Sequence, residues 1–133
     1  MDHVGGCACG YLRFRASIGP VDTGYCHCRI CQRTTGAPLL AYASFAVETF
    51  TYTAGKPRRY SSSATGAREF CERCGTQIAF RRDDGTGTVD VNIGAMDDPS
   101  AYPPARHIWC ASAIPWLAIS DALPRSAHGA APR

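Results

Sequence analysis

Seven of the eight cysteines in this 133-residue chain fall into three short clusters, and this spacing constrains the fold more than any other feature. The clusters occupy residues 7–9, 26–31 and 71–74, whereas Cys110 stands alone. The first residues lack the basic and apolar segments of a secretory signal, so we expect a reducing, cytoplasmic location. Metal binding is therefore the favoured interpretation, and a secreted domain with disulfides is the alternative.

The first and third clusters together predict a closed zinc site. The first pair of cysteines is two residues apart, which on an extended backbone places both thiols on one face. The second pair is three residues apart and precedes Gly75, so a tight turn can hold one ion with two thiolates. The spacing indicates less clearly which two pairs of cysteines share one ion. We expect one structural Zn²⁺ ion with four ligands: Cys7, Cys9, Cys71 and Cys74.

The second cluster offers three thiolates, Cys26, Cys28 and Cys31, from a single six-residue segment. Three protein ligands with an exchangeable fourth are typical of a reactive zinc site, whereas four are typical of a structural one. We therefore expect this second zinc site to be open. The alternative is that Cys110 or a histidine completes it. Cys110 lies in an apolar segment, residues 108–111, and we expect it to be a small buried residue of a strand.

Several residues near the second cluster have two possible roles. His27 lies between two ligand cysteines and points to the opposite face of an extended segment, so we expect it to support the site or the core. His107 either faces the site or caps a strand end. Arg29 and Arg33 either neutralise thiolates and bind a substrate carboxylate, or form the exposed charge of a short helix.

Turn residues separate short runs of aromatic and β-branched residues, which predicts a mostly β single domain over residues 1–125 with very little helix. The one candidate helix covers residues 29–35 and ends at Gly36. The Ala-, Pro- and Gly-rich tail, residues 126–133, is expected to be disordered. Strands are predicted at residues 11–16, 39–45, 47–53, 58–62, 76–81, 88–93 and 106–111.

The charge and hydropathy of the chain argue against nucleic acid and membrane as partners. Seven thiolates around two Zn²⁺ ions carry three negative charges in total, which cancel the formal net charge of +3. The arginines are scattered, whereas a nucleic-acid surface requires a clustered basic face. No run of residues approaches the roughly 18 apolar residues of a membrane span.

The motifs resemble the glutathione-dependent formaldehyde-activating family, which also contains the centromere protein V domain. The resemblance rests on the three cysteine motifs in their order, within residues 5–10, 25–33 and 71–76, and on the Gly-Ala-Pro sequence at residues 36–38. Residues 92–99, 115–116 and 121–124 resemble its C-terminal half, so that the likeness spans residues 3–125. The resemblance implies a β-tent fold and the two zinc sites described above. Cys110 is a departure from the expected pattern.

The resemblance also implies an activity, the condensation of glutathione with formaldehyde to S-hydroxymethylglutathione, which is classed among carbon–sulfur lyases. We therefore expect an enzyme that adds a zinc-bound small thiol such as glutathione to a small aldehyde such as formaldehyde. Its catalytic residues would be the ligands of the open zinc, Cys26, Cys28 and Cys31. Two alternatives remain, a thiol carrier without catalysis and a zinc-stabilised protein-interaction module.

Overall fold

Strands dominate the computed structural model, which describes residues 2–129. Within that range the chain forms a short helix, α1 (Arg29–Thr35), and ten strands: β1 (His3–Gly6), β2 (Arg13–Ala16), β3 (Asp22–Cys26), β4 (Leu40–Ala46), β5 (Phe50–Ala54), β6 (Arg58–Ser61), β7 (Gly66–Phe70), β8 (Gln77–Arg82), β9 (Thr88–Asn92) and β10 (His107–Ile108). The expected mostly β, single-domain fold is confirmed.

The strands form two sheets that enclose the core. The smaller sheet has the order β1-β2-β5, and the larger has the order β10-β3-β4-β9-β8-β7-β6. Strand β2 supplies Phe14 and β4 supplies Phe45, and both side chains are almost completely buried in the main hydrophobic cluster. Burial of a side chain of this size contributes about 1.5–3 kcal/mol. In β2 the flanking Arg13 and Arg15 are partly exposed, as the alternating pattern predicted.

Helix α1 begins and ends where the sequence indicated. Cys28 has an extended backbone and caps the first turn, because its Sγ accepts a hydrogen bond from the backbone N–H of Cys31. Gly36 ends the helix in the left-handed conformation, with a φ of 67°, and its N–H donates to the carbonyl oxygen of Gln32. Glycine reaches this conformation without the steric cost that a Cβ imposes. One residue at each end, Cys28 and Gly36, therefore sets the length of the helix.

The strand predicted at residues 106–111 is wrong beyond its first residues. Only His107 and Ile108 pair with β3, because Trp109 adopts a positive φ of 56° that ends the strand. A 3₁₀ turn, Cys110–Ser112, follows. Cys110 is thus a half-buried turn residue, in contrast to the buried strand residue that the apolar segment predicted. Strands β1, β3 and β7 were not predicted.

The C-terminal residues lie along β10 and the turn after it. The backbone N–H of His107 donates to the carbonyl oxygen of Pro124 at 2.9 Å, and that of Cys110 donates to Ser126 at 3.0 Å. The N–H of Trp109 donates to His128 at 2.7 Å. Of the segment expected to be disordered, residues 126–128 thus form backbone hydrogen bonds with the turn after β10, and residues 130–133 lie outside the described range. No helix within the described range has the length and apolar character needed to cross a membrane.

Candidate metal centre

Four thiols from two loops meet at one point of the structure. Their Sγ atoms all lie within 4.8 Å of one another. The Sγ of Cys9 lies 3.6 Å from that of Cys7 and 3.8 Å from that of Cys71. A tetrahedral zinc site with Zn–S bonds of about 2.3 Å separates its sulfurs by about 3.8 Å. The spacing therefore fits one ion held by the four predicted residues: Cys7, Cys9, Cys71 and Cys74.

The two loops turn tightly because each has a glycine after its second cysteine. Gly10 and Gly75 have φ angles of 84° and 79°, a region that favours glycine. One loop joins β1 to β2 and the other joins β7 to β8, so the cluster connects the two sheets. The hydroxyl oxygen of Thr76 accepts a hydrogen bond from the N–H of Ala8 at 3.0 Å, which adds a direct contact between the loops.

Hydrogen bonds at two of the four cysteines, Cys7 and Cys74, favour the thiolate form. The backbone N–H of Leu12 donates to the Sγ of Cys7 at 3.1 Å. The hydroxyl of Thr76 lies 3.2 Å from the Sγ of Cys74, and this hydrogen bond is the main cause that lowers the pKa of Cys74 to about 5. Metal binding requires deprotonated thiols, so both contacts prepare ligands for an ion.

The second cluster combines the end of β3 with the start of α1. The Sγ atoms of Cys26, Cys28 and Cys31 lie within 4.8 Å of one another, and those of Cys26 and Cys31 are 3.4 Å apart. Hydrogen bonds from the thiols of Cys26 and Cys31 lower the pKa of Cys28 to about 2. Cys28 is therefore the residue of the cluster whose thiolate form the two neighbouring thiols favour. The three residues suit one ion with thiolate ligands.

The structure brings no fourth protein ligand to this cluster. Within residues 2–129, no further Cys, His, Asp or Glu offers a ligand atom within 4.8 Å of all three sulfurs. Cys110, the sequence-based alternative, is outside the group. The two candidate histidines are hydrogen-bonded to each other, with 2.9 Å between the Nε2 of His27 and the Nδ1 of His107.

These two buried histidines form a hydrogen-bonded chain with the partly exposed Asp121. The carboxylate of Asp121 accepts a hydrogen bond from His107 Nε2 at 2.8 Å. That bond is the main cause that lowers the pKa of Asp121, while burial lowers the pKa of His27. Since the Nε2 of His107 donates to Asp121, its Nδ1 is the atom that can accept the Nε2 proton of His27. His27 is buried and lies outside the thiol group, as expected of a residue that supports the site or the core. The hydrogen bonds tie the C-terminal segment to the segment of the three thiols.

A cavity of about 610 Å³ opens beside the three-thiol cluster. The cluster and α1 close one end of it, and Ile108 and Trp109 form a wall. The floor is one face of the seven-stranded sheet. Arg29 lines the cavity and donates a hydrogen bond to the side-chain oxygen of Gln32, whereas Arg33 is exposed on α1 and is not part of the lining.

The floor carries charged residues that the sequence-based reasoning missed. Asp22 pairs with Arg106, whose Nε lies 3.1 Å away. The Oδ1 of Asp90 accepts hydrogen bonds from the hydroxyls of Ser44 and Thr88, and burial raises the pKa of Asp90. The strand register aligns five residues in one row across the sheet: Asp22, Ser44, Asp90, Phe80 and Arg68. No spacing along the sequence relates these residues, because the row depends on the register of five strands.

Comparison with known proteins adds a family assignment to this geometry. A family model described as "Glutathione-dependent formaldehyde-activating enzyme" matches residues 2–112. The chain is also similar to the crystal structure of a Rhodobacter sphaeroides protein, with 22% sequence identity and a TM-score of 0.59 over 74% of this chain and 93% of that chain. At this identity the likeness supports the fold alone. No curated protein matches the chain.

Proposed function

The chain belongs to the glutathione-dependent formaldehyde-activating family, and from this premise we propose that it is a zinc-dependent enzyme of the carbon–sulfur lyase type. The proposed reaction adds a small thiol such as glutathione to a small aldehyde such as formaldehyde. A C–S bond forms while the C=O double bond opens, and the thiol proton ends on the new hydroxyl. We assign this chemistry to the cavity beside Cys26, Cys28 and Cys31.

The observation that carries the proposal is the difference between the two thiol clusters. One has four thiols and connects two hairpin loops, which suits a closed structural zinc site. The other has three thiols and opens into a cavity of about 610 Å³, a size typical of small-molecule sites. A module that used zinc only for stability would have no reason to place an incomplete ligand set at a cavity. We therefore propose two zinc ions per chain, one structural and one open.

The donor set fits zinc, since thiolates are the ligands that this ion commonly takes in proteins. A zinc ion held by Cys26, Cys28 and Cys31 would supply a position for the substrate thiol and would favour its ionised form at neutral pH. The protein contributes the orientation of these ligands. The side-chain amide of Gln32 donates to the carbonyl oxygens of His27 at 2.7 Å and Ser112 at 3.0 Å, which fixes α1 against the segment after β10.

Asp90 is our candidate for proton transfer in this cavity. Its Oδ1 already accepts two hydrogen bonds, so Oδ2 is the atom that can hold a proton. Burial raises the pKa of Asp90 and outweighs the hydrogen bonds from Ser44 and Thr88 and the charge of Arg68, which act in the opposite direction. A carboxyl group with a raised pKa inside a cleft is a typical acid–base group. Asp90 would receive the thiol proton and return it to the oxygen of the product.

Exchange spectroscopy by NMR tests the proposal directly. The rate of condensation between glutathione and formaldehyde is measured with zinc-loaded protein, with the Cys28→Ser variant and without protein. We expect acceleration by the wild-type protein and its loss in Cys28→Ser, with the four-thiol cluster still occupied by zinc in both. Binding of glutathione without acceleration would identify a thiol carrier, and the absence of both would leave only an interaction module.

A further inference from the structure

Arg68 is a buried arginine on the cavity floor whose charge acts on Cys28, Cys31 and Asp90, although it forms no close ion pair with a carboxylate within the described residues. It is only 8% exposed, and it lines the cavity next to the three-thiol cluster. Its Nη2 donates one long hydrogen bond, of 3.5 Å, to the Sγ of Cys31. Its Nε is buried and has no hydrogen-bond partner within residues 2–129. A guanidinium carries five N–H donors, so most of its donor capacity is unused.

The neighbouring residue on the same strand shows how this protein compensates a buried charge elsewhere. Glu69 is also buried and points to the opposite face of β7. Its carboxylate accepts a hydrogen bond from Tyr52 at 2.9 Å and pairs with Arg81 at 3.0 Å. For Arg68, by contrast, no carboxylate within the described range lies at salt-bridge distance. A buried charge without a close carboxylate partner is costly, so a site that retains one generally has a use for it.

The sheet holds Arg68 in position for a ligand. Its guanidinium lies over the ring of Phe80 on the adjacent strand, with 5.3 Å between its central carbon and the ring centroid. This contact holds the guanidinium at the cavity, where its Nη2 donates to Cys31. The rigid planar fork of an arginine suits a carboxylate, which can accept two parallel hydrogen bonds from it.

We propose that Arg68 binds a carboxylate of the thiol substrate, so that the cavity prefers thiols that carry a carboxylate to their uncharged analogues. This inference rests on the proposed function, because it assumes that a thiol enters beside Cys26, Cys28 and Cys31. The contact of Arg68 with Cys31 places the carboxylate site next to the thiol cluster. The sequence had suggested Arg29 and Arg33 for this role, but Arg33 lies outside the cavity and Arg29 is bonded to Gln32.

The test compares two probe thiols of nearly equal size, 3-mercaptopropionate and its uncharged amide, by isothermal titration calorimetry with zinc-loaded protein. We expect wild type to bind the carboxylate about tenfold more tightly or better, since hydrogen bonds between charged groups contribute more than neutral ones. Arg68→Met should remove this preference, Arg68→Lys should retain part of it, and Arg33→Met should behave as wild type. Zinc content and competition with a chelator are measured for every variant.

The outcomes separate this inference from the proposed function. Equal affinity of wild type for both thiols would overturn the carboxylate site while leaving thiol binding intact. Equal weakening of both thiols in Arg68→Met, accompanied by weaker zinc retention, would show that Arg68 serves only as the counter-charge of the thiolates. Failure of wild type to bind either thiol would overturn both the proposed function and the inference. Arg68→Lys keeps the charge and decides the question should Arg68→Met fold poorly.

Discussion

The Sγ atoms of Cys9 and Cys71 lie 3.8 Å apart, although 62 residues separate the two cysteines in the chain. One belongs to the loop between β1 and β2 of the smaller sheet, and the other to the loop between β7 and β8 of the larger sheet. Cys71 is also completely buried in the main hydrophobic cluster. An ion at this point would therefore connect both sheets and the core at once.

The two clusters should respond differently to loss of one ligand. Cys74→Ser should lose about one zinc ion per chain and unfold, because structural zinc binding contributes on the order of 10 kcal/mol to folding. A domain of this size has a total stability of about 5–15 kcal/mol. Cys31→Ser should also lose about one zinc ion but remain folded, since its cluster lies within one segment. Elemental analysis and thermal denaturation followed by circular dichroism measure both effects.

This division of roles is contradicted when both variants fold and retain the same amount of metal. A second check is treatment of wild type with increasing chelator. The three-thiol cluster should release its ion first, because it has one protein ligand fewer, and the loss of secondary structure should accompany only the second release.

Cys110→Ser should leave the zinc content at the wild-type value. Cys110 is half-buried in the turn after β10 and belongs to neither thiol cluster. We expect a change in stability below about 1 kcal/mol, as for other substitutions outside the core. Loss of one zinc ion from this variant, measured by elemental analysis, would show that Cys110 completes the second site.

Asp90→Asn should be at least as stable as wild type at neutral pH. Burial raises the pKa of Asp90 in the folded protein, so at a pH above that pKa the ionised carboxylate lowers the free energy of unfolding. Below the unfolded-state pKa of about 3.9 the carboxyl group is protonated in both states, and this effect disappears. The asparagine keeps an oxygen for the hydroxyls of Ser44 and Thr88. Urea denaturation at pH 8 and pH 5 should show that the advantage of the variant shrinks as the pH falls.

Asp97→Asn is the matched control for this pH dependence. Its hydrogen bond with Arg13 lowers the pKa of Asp97, so the ionised form favours folding and the substitution should act in the opposite direction. The pair is exposed on the surface, which keeps the effect small. If both substitutions changed the stability in the same direction, burial would not be what controls the charge of Asp90.

Asp121→Ala should destabilise the protein through His107. The substitution leaves the Nε2–H of a completely buried imidazole without its acceptor, and an unpaired buried donor costs about 1–3 kcal/mol. The midpoint of urea denaturation should fall, and proteolysis should cut the segment after residue 120 faster. Asp83→Ala removes only an exposed pair with Arg59 and should leave both measurements unchanged.

The features that could be predicted from the sequence are those that depend on neighbouring residues along the chain. The thiol clusters are set by spacings of two or three residues, and α1 is delimited by Cys28 and Gly36, each of which acts on adjacent backbone groups. The family motifs lie in the same short segments. The alternation of β2 likewise follows from local geometry, with Phe14 inside and Arg15 outside.

The features that were missed depend on contacts between distant segments. Strands β1 and β3 contain glycines that lower their intrinsic strand preference, and they form because neighbouring strands pair with them. Arg68 and Asp90 reach the same cavity only through the register of β7, β8 and β9. The positive φ of Trp109 could not be inferred from an apolar run of residues, and it displaced Cys110 from the expected strand.

The segment that holds the wall of the cavity lies beyond the residues matched by the family model. The match ends at residue 112, whereas the backbone of Trp109 is bonded to His128 and the side chain of His107 to Asp121. The thiols and the floor thus come from one part of the chain, and the support of the wall comes from another. Substitutions in residues 121–129 would therefore act on the cavity only through His107 and Trp109, since none of these residues lines the cavity or belongs to the thiol clusters.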